Sequence, residues 1–162
     1  MRKLVLCLIS VAIFSIGCKK NSECPKDDNI VAPLMEEQAL AAYLNANGIV
    51  ATKHANNMYY QIITPGTGGS PDLCSSITVS YEGRVGNSSS KFDSGTNKEF
   101  KLGVLIPGWK KGIPLIQKGG RIKLFIPPTL GYGAREIKDG NGVVLIPSNS
   151  IIVFDITLVD FR

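Results

Sequence analysis

The stretch Leu102-Gly103-Val104-Leu105-Ile106-Pro107-Gly108-Trp109 sets the only tryptophan of a 162-residue chain at the end of an apolar run broken by Pro-Gly. We read it as the wall and floor of an apolar pocket. Beyond it, Trp109, Ile113 and Ile116 are spaced four and three apart, which suits a short helix resting on a sheet. Pro114 is then expected in the first turn of that helix, because proline further inside costs about 3 kcal/mol.

Strand signals surround this centre. Ile77, Val79 and Tyr81 alternate with Thr78, Ser80 and Glu82, giving a half-buried strand expected to end at Gly83. Ile122, Leu124 and Ile126 repeat the pattern ahead of Pro127-Pro128, and Ser150 to Val159 carries Ile152, Phe154, Ile156 and Leu158 on one face. Met58 to Ile63 reads as a further strand. The run after it, Thr64 to Pro71, is rich in glycine but lacks the Gly-Lys-Ser/Thr ending and following helix of a phosphate loop, so it reads as a plain loop. Short strands, turn residues and one short helix make an α+β domain with a helix packed on an antiparallel sheet.

Upstream, Pro33 stands at a helix start with Glu36 and Glu37 in the first turn, and Asn47-Gly48 supplies a stop. Leu40, Tyr43 and Leu44 share a face, so Leu34 to Asn47 is expected to be a short amphipathic helix. Its plain role is to pack on its own domain, and its sharper one is to dimerise the chain. Lys19 to Ala32 is polar and aperiodic, as a flexible spacer would be. His54 is the single histidine and has no carboxylate or cysteine cluster beside it in sequence, so we expect a surface histidine rather than a ligand or base.

Residues 1–17 read as a secretory signal: Arg2 and Lys3 open it and Leu4 to Ile16 is apolar, too short for the roughly 20 residues that span a bilayer. Ser15-Ile16-Gly17-Cys18 resembles the lipobox of bacterial lipoproteins, with Ser15 where leucine is commoner. That resemblance implies lipidation of Cys18 and a cell-envelope protein anchored to a bacterial membrane on its extracytoplasmic side. Chain organisation follows as 1–17 signal, 18–33 anchor and tether, 34–57 helical extension and 58–162 domain. With the signal removed, 16 basic side chains face 13 acidic ones and are spread along the chain, which argues against a nucleic-acid partner. Of four cysteines, Cys24 and Cys74 remain outside signal and anchor. An exported protein can oxidise such a pair or leave it free, and no spacing here suggests zinc.

From about Met58 to the end, nearly two-thirds of the chain, the sequence resembles the FKBP-type peptidyl-prolyl cis-trans isomerases. The blocks fall in order: Val79-Ser80-Tyr81-Glu82-Gly83, Phe92-Asp93-Ser94, Phe100-Lys101-Leu102-Gly103, Leu105-Ile106-Pro107-Gly108-Trp109, Gly119-Gly120-Arg121, Ile126-Pro127-Pro128, Leu130-Gly131-Tyr132-Gly133, Leu145-Ile146-Pro147-Ser148-Asn149 and Ile152-Val153-Phe154-Asp155-Ile156. The resemblance implies a strongly twisted antiparallel sheet wrapped around one short helix. It also implies a pocket lined by Tyr81, Phe92, Asp93, Phe100, Leu105, Ile106, Trp109, Tyr132, Ile146 and Phe154, with no cofactor or metal. The implied partners are proline-containing unfolded or exported polypeptides, and macrolide inhibitors of the family. A catalytically weak chaperone or peptide-binding module of the same fold is the alternative, and a scaffold without turnover a second.

Three departures stand out. Between Asp93 and Phe100 the only cation is Lys98, where eukaryotic members carry an arginine that pairs with the aspartate, so the partner of Asp93 is open. Residues 134–144 form a flap that is long for the family, with turn chemistry at Asp139 to Gly142. Leu105 and Leu145 replace β-branched residues, which a cavity tolerates.

Overall fold

The computed structural model describes residues 24–26, 28–86 and 88–162. The expected signal and Cys18 lie outside the described residues. Six strands form one antiparallel sheet: β1 (Thr52–Lys53), β2 (Tyr59–Thr64), β3 (Ser76–Val85), β4 (Lys91–Lys101), β5 (Arg121–Ile126) and β8 (Ile152–Phe161). They lie in the order β1-β2-β5-β8-β3-β4. A separate hairpin, β6 (Ile137–Lys138) with β7 (Val144–Ile146), forms the flap. Its turn is held by Asp139, whose carboxylate accepts the N–H groups of Asn141 and Val143 at 2.9 Å each. The fold is the α+β arrangement expected, with helix α2 (Pro107–Gly112) on the inner face of the sheet and helix α1 (Leu34–Ala46) as an N-terminal addition.

Side chains alternate across a strand, and the two sets have different fates. Ile77, Val79, Ile122, Leu124, Ile126, Ile156 and Leu158 are fully buried and join Ile113 and Ile116 in the main core. On the other face Phe125 and Val153 meet α1 through Leu40 and Leu44, a second and smaller core. So α1 packs on its own domain.

Two expectations about helix and strand bounds change. The inner helix begins at Pro107, its first residue, and gives way at Ile113 to a 3-10 turn, Ile113–Leu115, that contains Pro114. Pro114 is therefore past the end of the α-helix and not in its first turn. Lacking an N–H, it cannot bond the carbonyl four residues back, and the chain tightens into the 3-10 form instead. The strand through Tyr81 also runs past Gly83 to Val85. Gly83 is inside the strand because rings crowd it: a Cβ there would lie 2.6 Å from both Phe154 and Phe92. The glycine marks a close approach and not a strand end.

The segment read as a spacer is docked over its described C-terminal part. Ala32 is buried, its N–H donates to Asn56 O at 3.1 Å, and its carbonyl accepts Asn57 Nδ2 at 2.8 Å. Ile30 packs on the main core, and Asp28 pairs with Lys110 and Lys111 of α2. The apolar pair Ile30 and Ala32, set in a polar stretch, is what draws it down. A disulfide joins Cys24 to Cys74 with Cα atoms 5.0 Å apart. Closing that loop, a sequence separation of 50 residues, removes denatured-state entropy equivalent to about 4 kcal/mol in the chain-entropy account. His54 is half-buried, bonded through Nδ1 to Asn56 Oδ1 at 2.7 Å with its ring edge-on to Tyr60. It braces the turn whose Asn56 and Asn57 hold Ala32, and it has no metal-ligand set around it among the described residues.

Candidate active site

The inner face of the sheet is closed by core side chains along most of its length and opens at one end. There β3 presents Tyr81 after Ile77 and Val79, and β8 presents Phe154 ahead of Ile156. Proline at the first position of α2 fixes where the helix starts, and that places Trp109 across the bottom, 4% exposed. A cavity of about 110 Å³ results, lined by Tyr81, Asp93, Phe100, Leu105, Ile106, Trp109, Tyr132 and Phe154.

Its rings meet edge to face. Trp109 lies 5.0 Å from Phe154 at 87°, 5.2 Å from Tyr81 at 81° and 6.1 Å from Phe100 at 87°. This is the favoured arrangement of aromatic quadrupoles, and it holds the rings without filling the space between them. Eight of the ten residues expected at the pocket thus share one cavity. Phe92 and Ile146 stand behind it. Phe92 packs edge-on against Phe154 at 5.6 Å and Tyr132 at 6.1 Å, while Ile146 is 1% exposed and pairs with Ile137 in the flap hairpin.

Polar groups sit at the rim. The Tyr81 hydroxyl donates to Asp93 Oδ2 at 2.9 Å, so this phenol is the partner that the sequence left open. Burial first, and the Asp93 carboxylate second, push the Tyr81 phenol up to about 12. Burial also raises the Tyr132 phenol, with a smaller push from Asp93. Both remain neutral hydrogen-bond donors at any physiological pH. The Ile106 carbonyl opens α2 by accepting the N–H groups of Trp109 and Lys110 at 3.0 and 3.2 Å, whereas its own N–H finds no partner among the described residues. The Trp109 indole N–H is likewise buried without an acceptor.

A larger polar groove of about 710 Å³ adjoins the cavity at Tyr81. Four of its five charged side chains are committed to each other, Glu82 with Lys91 and Arg121 with Asp155 at 2.8 Å, and Lys98 is the fifth. It offers ion pairs where the cavity offers an apolar wall, so the chemistry belongs to the cavity.

Residues 69–159 match the family of FKBP-type peptidyl-prolyl cis-trans isomerases. The chain belongs to that family. Among curated relatives, the FKBP-type isomerase FkpA of Escherichia coli K12 is 38% identical over 111 residues, covering 67% of this chain but only 39% of FkpA. The crystal structure of E. coli FkpA superposes with a TM-score of 0.64 at 32% identity, over 80% of this chain and 58% of that one. An isomerase structure from Pseudomonas syringae gives 0.65 at 27% identity, over 81% of this chain and 97% of its own. The matched region takes in β3, β4, β5, most of β8, α2 and the cavity, while α1, β1 and β2 precede it.

Sequence reading missed what lies behind the cavity. Gly83 signals ring crowding only once Phe92 and Phe154 are seen to converge on it. The contacts through which α1 packs on Phe125 and Val153 carry no motif.

Proposed function

We propose that the chain is a peptidyl-prolyl cis-trans isomerase acting on X-Pro bonds of exported polypeptides. The observation that carries the reading is the apolar cavity floored by Trp109 and walled by Phe154, Phe100, Leu105 and Ile106, with neutral donors on its rim.

Rotation about an X-Pro bond breaks amide resonance, with a barrier of roughly 18 to 20 kcal/mol. Unaided it takes tens to hundreds of seconds. No bond is made or cleaved, so no nucleophile is required. Lowering the barrier by about 5 to 6 kcal/mol accelerates the step roughly ten-thousandfold. A site achieves this by holding the twisted amide more favourably than either planar form. Twisting uncouples the nitrogen lone pair from the carbonyl and reduces charge separation. A cavity poor in water therefore disfavours the planar, polar amide relative to the twisted one. In this reading the proline ring rests on Trp109 between Phe100 and Phe154. The Ile106 N–H and the Tyr132 hydroxyl donate to the carbonyls that flank the rotating bond, and Tyr81 with Asp93 fixes the rim.

The lipobox-like Ser15 to Cys18 supports export and lipid anchoring at Cys18, which would place the site at a membrane surface in the cell envelope. Among the described residues no helix is long and apolar enough to cross a membrane. Macrolide inhibitors of the family would compete for the same cavity.

The test couples binding to turnover. Quenching or enhancement of Trp109 fluorescence on titration with a short proline peptide reports binding, and the cis-to-trans rate of the same peptide reports catalysis. Saturable binding with acceleration supports the enzyme. Saturable binding without acceleration makes the chain a binding module, and neither makes it a scaffold. For the anchor, Cys18→Ala should shift the protein from the membrane to the soluble fraction; retention on the membrane contradicts lipidation there.

A further inference from the structure

Glu36, in the first turn of α1, uses both carboxylate oxygens on one residue of the FKBP domain. One accepts the Thr129 backbone N–H at 2.8 Å and the other the Thr129 hydroxyl at 2.7 Å. Thr129 is the middle residue of a 3-10 turn, Pro128–Leu130, that follows β5. From that turn the chain folds back on itself, with Gly131 and Gly133 N–H groups both donating to Pro128 O at 2.9 Å, and Asn149 N–H to Gly133 O at 2.8 Å. Tyr132 lies inside this loop and reaches the cavity.

The Tyr132 hydroxyl makes no hydrogen bond to another described residue, and its ring rests edge-on against Phe92. Its position at the rim is therefore inherited from the backbone of 128–133. Glu36 is half-buried, and it is aimed by a helix start in which the Pro33 carbonyl accepts the N–H groups of Glu36 and Glu37. The helix itself is fixed by Leu40 and Leu44 on Phe125 and by Glu37 under Tyr59 and Lys53. A charged acceptor bridging a backbone and a side-chain donor is a stronger restraint than a neutral contact.

We propose that Glu36, outside the family's matched region, is a positioning residue for Tyr132: α1 grips the 128–130 turn and so fixes where the hydroxyl meets a substrate carbonyl. The proposal rests on the isomerase reading. An ordinary docking contact would change stability alone, whereas a positioning contact acts through the Tyr132 hydroxyl.

The experiment is a double-mutant cycle on isomerisation of a proline peptide, with backbone amide exchange as a second readout. Glu36→Ala should lower kcat/KM about two- to threefold, approaching and not exceeding the loss from removing the Tyr132 hydroxyl itself. In the Tyr132→Phe background the same change should cost less than about 1.5-fold, because no hydroxyl remains to misplace. Amides of Gly131 and Gly133 should exchange faster in Glu36→Ala while those of β8 do not. Thr129→Val, which removes only the hydroxyl, should move both readouts the same way by less, and it decides the matter if Glu36→Ala does not fold. Equal losses in the two Tyr132 backgrounds, or a lower melting temperature with unchanged turnover, overturn the proposal. If the unmutated protein does not accelerate isomerisation, the isomerase reading fails separately, and unchanged Gly131 and Gly133 exchange in Glu36→Ala overturns the positioning claim by itself.

Discussion

The two faces of one sheet are built from the same strands and end differently. Phe154 and Val153 are neighbours on β8; the first opens onto the cavity and the second packs against the cluster beneath α1. On the outer face, a 13-residue helix lays Leu40 and Leu44 on Phe125. On the inner face, a six-residue helix brings Gly108 and Gly112 against Ile126 and Leu124, and spans the remaining space with one tryptophan. Long aliphatic side chains interdigitate and seal. Aromatic rings in edge-to-face contact hold one another at 5 to 6 Å and leave room for a guest. Apolar sequence alone thus does not say whether a face becomes core or site; the shape of what covers it does.

Changes on the two faces should separate stability from turnover. The largest effect is expected on the sealed face: Leu44→Ala should destabilise the fold by about 2 to 5 kcal/mol, as buried leucine truncations do. The folded fraction should keep its kcat/KM within about twofold, since Leu44 lines no part of the cavity and Leu40 still seats the N-terminal half of α1, which carries Glu36, on Phe125. Denaturant unfolding alongside the peptide assay checks both. On the open face, Trp109→Ala should lower kcat/KM on the order of a hundredfold, about 2.7 kcal/mol of transition-state stabilisation, measured where the variant is folded. A rim change is milder: Tyr132→Phe should cost only about threefold, because the ring and its packing on Phe92 remain. Equal losses for Trp109→Ala and Tyr132→Phe would undo the division into floor and rim.

The smallest effect concerns pH on the sealed face. The Tyr59 hydroxyl and then Lys53 hold the Glu37 carboxyl below the usual glutamate range. A depressed native pKa stabilises the fold above the unfolded value, near 4.3, and this is lost as pH falls through the lower native value. Melting curves should therefore show unmutated protein above Glu37→Gln at neutral pH, with the gap closing below about pH 4. A gap that widens in acid would contradict the assignment.

Much of this was readable from sequence. The alternation at Ile77 to Tyr81 and at Ile152 to Leu158 gave the inner face, and the aromatic residues of the family blocks gave the cavity. What escaped reading was long-range. Nothing local tells that Gly83 yields space to rings from two other strands, or that Ile30 and Ala32 pull a polar stretch onto the domain. The pairing of Asp93 with Tyr81 likewise depends on how β3 and β4 are set in register. Phe92 and Ile146 belong to family blocks and yet stand one layer behind the cavity, because a motif marks a neighbourhood and packing decides which side chain reaches its surface.

The central claim is that the cavity over Trp109 lowers the barrier to X-Pro rotation. Its most direct test is the cis-to-trans relaxation rate of a short X-Pro peptide with and without the chain from residue 19 onward. The account predicts acceleration at micromolar protein that Trp109→Ala lowers about a hundredfold and Leu44→Ala preserves. No acceleration by the folded, unmutated protein would contradict it.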